Sequence, residues 1–370
     1  MLKRYRLKDY NFILLIMVLG LMIFGVICIN RADSDFTMKQ AIGVAGAFVI
    51  IIVFSLLDYH MFFELKWLIY VFILIILMAV LFFGVNVNNA TRWFTIAGFT
   101  FQPSELAKVL MIVFMAGLLS KLKDEDQISR PKGLLLFVAS IVPPAFLIFQ
   151  EPDLSTTICT ISIMLLMLYL AGLSYKIIFI ALLIIIPLAG TFMWYIQQPD
   201  QKLLNGYQVD RILTFLFPSE HMDMNSQQAS SVMAIGSGQL FGKGLTPDPD
   251  VVTVSSSRMI SEQQTDFIFS VVGEAFGFVG SVIVIAIILF IVLQCIRIAR
   301  RAKDAGGMLL AGGAASLFAI QSFINIGVTT ALLPNTGIPL PFISYGLSSL
   351  LSSAIMIGIV LNVGMQPERY

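Results

Sequence analysis

Apolar runs of about 20 residues recur along the whole of this chain, and nothing else constrains its fold as strongly. A helix rises about 1.5 Å per residue, so roughly 20 apolar residues cross the hydrocarbon core of a bilayer. Ten such runs stand out: Asn11–Asn30, Ala41–Leu57, Trp67–Val85, Glu105–Ser120, Gly133–Gln150, Leu154–Leu173, Ile177–Gln197, Phe267–Ile296, Met308–Leu332 and Pro341–Gly364. In lipid every backbone N–H and C=O must bond within its own segment, so these runs should be helices. Of the 370 residues 58% are hydrophobic and 12% charged, where a soluble domain carries roughly a quarter charged. The expected fold is an all-α integral membrane protein of about ten transmembrane helices, one polytopic domain over residues 1–370.

Lys and Arg placement sets the orientation. Lys3, Arg4, Arg6 and Lys8 precede the first run, which ends on Cys28-Ile29-Asn30-Arg31 without a small-residue cleavage site, so an uncleaved first span is expected. With the N-terminus inside and the spans alternating, 15 of the 23 Lys and Arg fall on the inner side and seven on the outer, with Lys108 inside a span. Both termini are then cytoplasmic. One long extracytoplasmic loop, about 198–266, joins spans seven and eight. Its stretch Gln227–Ile235 is amphipathic and its stretch Gly236–Gly244 is glycine-rich, as in an ordered loop packed on the outer face. The net charge of +1 says nothing about partners, but the lack of a basic stripe with interleaved aromatics argues against nucleic acid. Cys28, Cys159 and Cys295 have neither disulfide nor metal spacing, His60 and His221 are isolated, and no metal centre is expected.

Charge in or beside a span is a functional hypothesis by default, and four outer-side segments carry it. In Thr91–Gly98 and Gln102–Lys108, Ser104 can cap the fourth span, and Glu105 and Lys108 share a helix face. These residues are either a capped helix with an internal ion pair and an interfacial Trp93, or a cationic site, Arg92 plus Lys108, for a phosphate-bearing substrate. Asp266 opens the eighth span. It could be an N-cap, but Thr265 before it already suffices, and a partly desolvated carboxylate suits a general base. Glu151-Pro152-Asp153 reads as a capped turn. The segment Asn335–Gly346, with Pro339 and Pro341, cannot be a regular helix and is expected to line a cavity. Glu274 is expected to be a buried partner for a cation, with Gly273 and Gly277 marking a close helix contact.

In this order, Arg92-Trp93, Gln102-Pro103-Ser104-Glu105 with Lys108, Pro152-Asp153-Leu154-Ser155, Gly242-Lys243-Gly244, Thr265-Asp266-Phe267 with Glu274, and Pro339-Leu340-Pro341 with Ser344-Tyr345-Gly346 resemble the SEDS family, best known through RodA and FtsW. The resemblance runs over nearly the whole chain. It implies a peptidoglycan glycosyltransferase that polymerises lipid II at the outer face of the bacterial cytoplasmic membrane. It also implies a class B penicillin-binding protein as transpeptidase partner, among other membrane proteins of an elongation or division complex. Asp266 matches the family's essential aspartate, and Arg92 and Lys108 match basic positions of its outer cavity. Lys243 and Arg211 are assigned to phosphate as well. Trp93, Gln102, Glu105, Asp153, Glu274, Pro339, Pro341, Ser344 and Tyr345 are assigned to the cavity or its support. The chain departs from the common pattern at Thr100, Ala275 and Leu347. Its short tails and length lean toward the RodA type.

The chemistry fits from below. A sugar hydroxyl attacking the anomeric carbon of an undecaprenyl-pyrophosphate donor needs one base, and positive charge for the departing diphosphate. A divalent cation, Mg or Mn, could assist there. Two rival readings are a lipid II flippase and a non-catalytic scaffold for a transpeptidase. A flippase should place ionisable groups along a path through both leaflets, whereas here they gather at the outer end, and no internal repeat marks a transporter.

Overall fold

The computed structural model describes residues 9–87, 90–96, 99–198, 206–217, 226–245, 260 and 262–366. Each of the ten apolar runs forms a helix, with ends shifted by up to six residues. They are α1 (Phe12–Ala32), α2 (Thr37–Leu56), α4 (Lys66–Phe83), α5 (Pro103–Asp124), α6 (Pro131–Gln150), α7 (Leu154–Ala171), α8 (Tyr175–Ile196), α11 (Ile268–Arg300), α12 (Ala305–Thr329) and α13 (Leu347–Gly364). The short α3 (Tyr59–Glu64) links α2 to α4, and α9 (Gly206–Leu216) and α10 (Ser226–Ser237) lie in the long loop. Among the described residues nine helices are long and apolar enough to cross a membrane. The remaining run, α5, has 22 residues and charges at both ends. At about 33 Å it is also long enough to span. It lies almost wholly buried, in contact with α4, α7, α12 and α13. The chain is an all-α integral membrane protein.

The helix ends correct two expectations. Ser104 does not cap α5: Pro103 occupies the first helical turn, where its fixed φ and missing N–H cost nothing, so Gln102 takes the cap position. Neither Asp266 nor Thr265 caps α11, whose cap is Phe267 with no side-chain bond, because residues 262–267 form a run of turns. Asp153, by contrast, caps α7 as expected, accepting from the Thr156 N–H at 3.0 Å. Between α4 and α5, where only a loop was expected, the chain forms a three-stranded antiparallel sheet: β1 (Val85–Val87), β2 (Ala90–Ile96) and β3 (Phe99–Phe101). Val85 pairs with Trp93 and Asn86 with Thr91, so Arg92 is the extra residue of a bulge.

Helix α11 is broken. A straight helix of its 33 residues would run about 50 Å, well beyond a hydrocarbon core of roughly 30 Å. Gly277 takes φ 65 and ψ −160, a conformation essentially reserved for glycine. The break strands backbone groups on either side, and the segment after α10 satisfies them. Lys243 and Gly244 donate their N–H groups to the carbonyls of Glu274 and Ala275, and Phe278 and Val279 donate to those of Gln239 and Leu240, all at 2.8–3.1 Å. Of the two glycines, only Gly273 marks a close helix contact, and Gly277 marks the break. Gly277 admits the backbone of Leu240 and Gly242, and Gly273 packs on Ile235 of α10.

His60, isolated in the sequence, is held between two carboxylates. Its Nδ1 lies 2.7 Å from Asp58 and its Nε2 2.9 Å from Asp304. Asp304 also caps α12 and accepts from the Tyr59 hydroxyl at 2.6 Å. This cluster ties α3 to the α11–α12 turn. His221 lies outside the described residues.

Candidate active site

At the end of the bundle where β2 meets the α6–α7 turn, the bulge aims the Arg92 side chain at that turn. Its Nε donates to the Glu151 carbonyl at 3.0 Å, its Nη2 donates to the Pro152 carbonyl, and its Nη1 lies 3.7 Å from an Asp153 carboxylate oxygen. Gln102 donates its side-chain amide to the same Asp153 oxygen at 3.3 Å. Its backbone N–H donates to Ser348 Oγ at the start of α13 at 2.9 Å. One helix turn further along α5, Lys108, 1% exposed, donates to Glu105 at 2.7 Å. Trp93 is half-buried on the strand beside Arg92. Arg92, Gln102 and Asp153 thus form one contact network, with the Glu105–Lys108 pair behind it.

Glu151 was read from sequence only as part of a turn. It is fully buried, and neither carboxylate oxygen has a hydrogen-bond partner among the described residues. Burial pushes its carboxyl up to about 9, the Asp153 charge pushes the same way, and Arg92 opposes both. It is a neutral acid at pH 7.

A second network is built on the irregular entry to α13. Ser344 Oγ accepts from the Leu340 N–H at 2.8 Å and donates to the Thr265 carbonyl at 2.6 Å. The Tyr345 N–H donates to the Gln264 carbonyl at 2.8 Å. The Asn325 amide in α12 donates to the carbonyls of Asp266 and Ile338, each at 2.8 Å. Asp266 is thereby held from both sides on a non-helical segment. A Cβ at Gly337, whose φ is +75, would lie 3.3 Å from an Asp266 carboxylate oxygen, so the carboxylate sits over a bare stretch of backbone. Pro339 is half-buried, its carbonyl accepting from Gln321 at 3.2 Å, and Pro341 is buried. Phe342 is held at φ 69 and packs on Phe318, with ring centroids 4.9 Å apart. An unfavourable backbone conformation fixed by its surroundings is common at functional sites.

The two networks meet at the start of α13, where Ser344 and Tyr345 hold the Asp266 segment and Ser348 holds Gln102. Glu274 is buried and paired with Lys243 at 3.2 Å. That pair belongs to the α11 break, where the loop crosses the helix. Arg211 lies on α9, and its side chain lies outside the described residues. Sequence reasoning missed Asn325 and Gln321, although an amide inside an apolar span is itself a signal of interhelical bonding. Among the described residues no group of three or more His, Cys, Asp or Glu could hold a metal ion.

The comparisons with known proteins agree with this architecture. A solved chain from a peptidoglycan synthase complex superposes with a TM-score of 0.79 at 24% identity, covering 96% of this chain and 97% of that one. The probable peptidoglycan glycosyltransferase FtsW of Trichlorobacter lovleyi is 32% identical over 98% of this chain and 94% of its own length. Stage V sporulation protein E of Bacillus subtilis is 33% identical over 95% of this chain and 96% of its own. These two identities are nearly level, so similarity favours neither of those branches. The family model described as a cell cycle protein, FtsW/RodA/SpoVE, matches residues 7–369, and the chain belongs to that family.

Proposed function

We propose that Asp266 is the general base of a glycosyl transfer in which Arg92 and Lys108 hold the donor diphosphate. The chain is a peptidoglycan glycosyltransferase of the bacterial cytoplasmic membrane, in keeping with relatives of that name over nearly its full length. The substrate is lipid II, and the site faces outward. The acceptor hydroxyl attacks the anomeric carbon and its proton passes to the Asp266 carboxylate. The bond from that carbon to the diphosphate oxygen breaks, its electron pair leaves with the diphosphate, and configuration inverts. Diphosphate leaves readily, so a base and fixed positive charge suffice. The observation that carries this reading is the placement of Asp266. Its segment is gripped by Asn325, Ser344 and Tyr345, and its carboxylate lies beside Gly337.

A divalent cation would be held chiefly by the substrate's own diphosphate oxygens, since the described residues hold no ligand cluster. A class B transpeptidase is the partner that would crosslink the product. The testing experiment is lipid II with purified protein in detergent, where a flippase has no second side to serve. Glycan polymer is expected. Its absence, even with the transpeptidase added, would remove the enzyme reading. Asp266→Asn should still fold and bind its partner while polymerising at least a hundredfold more slowly. A scaffold would leave the rate unchanged.

A further inference from the structure

Arg31 was given no role by the motifs, yet its guanidinium is placed as a binding group. It stands in the last turn of α1. The same end of α1 touches several parts of the Asp266 network. Gln263, three residues before Asp266, donates to the Ala32 carbonyl at 3.0 Å. A Cβ at Gly25 would lie 2.7 Å from the Ile343 carbonyl, so α1 packs directly on the turn that holds Asp266. Phe24 packs on Phe276 in the upper part of α11, with ring centroids 5.0 Å apart.

Arg31 Nη1 donates to the Leu245 carbonyl at 3.3 Å, just past the Gly242–Gly244 segment docked on the α11 break. The other two nitrogens, Nε and Nη2, are shielded and have no hydrogen-bond partner among the described residues. They form the side edge of the guanidinium, whose two parallel N–H groups match two oxygens of a carboxylate or phosphate. Nearby carboxylates do not fill it. Asp33 accepts instead from the Asp35 N–H at 3.0 Å, and Lys243 occupies Glu274. Leaving a shielded charged donor unmatched is costly. A cation near the C-terminal end of α1 also suits the helix dipole, but that effect needs only the charge and not the fork.

We propose that the Nε–Nη2 edge of Arg31 binds a diphosphate oxygen pair of a lipid-linked sugar, on the α1 side of Asp266. This rests on the glycosyltransferase reading and adds a diphosphate contact to Arg92 and Lys108. The same chemistry could come from the incoming donor or from the lipid-linked end of the growing chain.

The test measures binding of undecaprenyl diphosphate in detergent to the Asp266→Asn protein, with undecaprenol as the uncharged control. This needs no turnover, so it stands apart from the polymerisation assay that decides the enzyme reading. Arg31→Lys keeps the charge and removes the fork, and Arg31→Gln removes both. Each should weaken undecaprenyl diphosphate binding by about tenfold or more, with undecaprenol binding unchanged. Wild-type affinity in Arg31→Lys would overturn the proposal and leave only the dipole role. Should Arg31→Gln not fold, Arg31→Lys decides alone. With Asp266 restored, Arg31→Lys should raise KM either for lipid II at fixed lipid-linked oligosaccharide or for the oligosaccharide at fixed lipid II. Whichever rises names the source, and no rise in either overturns the site.

Discussion

Glu151 and Lys108 show how differently single buried ionisable groups are accommodated at one site. Glu151, at about 9 against its ordinary 4.5, keeps its proton at neutral pH in the folded protein and loses it on unfolding. Because its folded value is raised, stability declines as pH rises through that window, by up to about 1.4 kcal/mol per pH unit. Glu151→Gln, a permanently neutral isostere, should therefore raise the Tm at pH 7 and show no gain below pH 4.5, as thermal unfolding in detergent would report. Lys108 meets its burial with a partner. Lys108→Met strands Glu105 and should cost about 3–5 kcal/mol, most of it recovered in Glu105→Gln/Lys108→Met. Polymerisation should stay lost in that double variant, which separates the folding role of the pair from its proposed hold on phosphate. The sequence showed that Glu105 and Lys108 share a face, since three-residue spacing suffices for that. It could not show Glu151 as an unpaired acid, because nothing local tells a capped turn from one sealed under a guanidinium.

At the scale of elements, α5, α7 and α13 bring their starts together, and that is where the site is assembled. Helix existence was legible throughout because hydropathy and length decide it. The sheet was not, since its strands are three to seven residues long and read as loop between two spans. The glycine pattern of α11 was legible as a helix contact at Gly273 but not as a break at Gly277, because Gly-x-x-x-Gly fits a seam as well as a break. Gly277→Ala distinguishes the two. A seam would tolerate a methyl group at modest cost, whereas here the residue has positive φ and its Cβ would lie 2.4 Å from the Gly242 nitrogen. The backbone strain alone is about 1–3 kcal/mol. The variant should lower the Tm and expose the Gly238–Leu245 stretch to protease, which limited proteolysis would read.

Across the whole molecule, the site and the His60 cluster are fastened by contacts far apart in sequence, and such pairings are invisible to any local pattern. Burial works to raise the Asp304 carboxyl, but hydrogen bonds from Tyr59, the Gly307 N–H and His60 outweigh it and hold it below 3.8. Its folded value is depressed, so its contribution is present above pH 3.8 and fades as pH falls through the folded value. Asp304→Asn should weaken the tie at pH 7 and flatten the acid limb of a Tm-against-pH curve. The break in α11 also bears on how such a chain is made. A ribosome delivers Gln239–Gly244 before Gly277, so the earlier segment waits outside the nascent helix until its partner emerges. Until the two dock, the helix that follows Asp266 holds four unanswered peptide groups. Closure of the α11 break is therefore set by the meeting of a loop with a span rather than by insertion of the span itself.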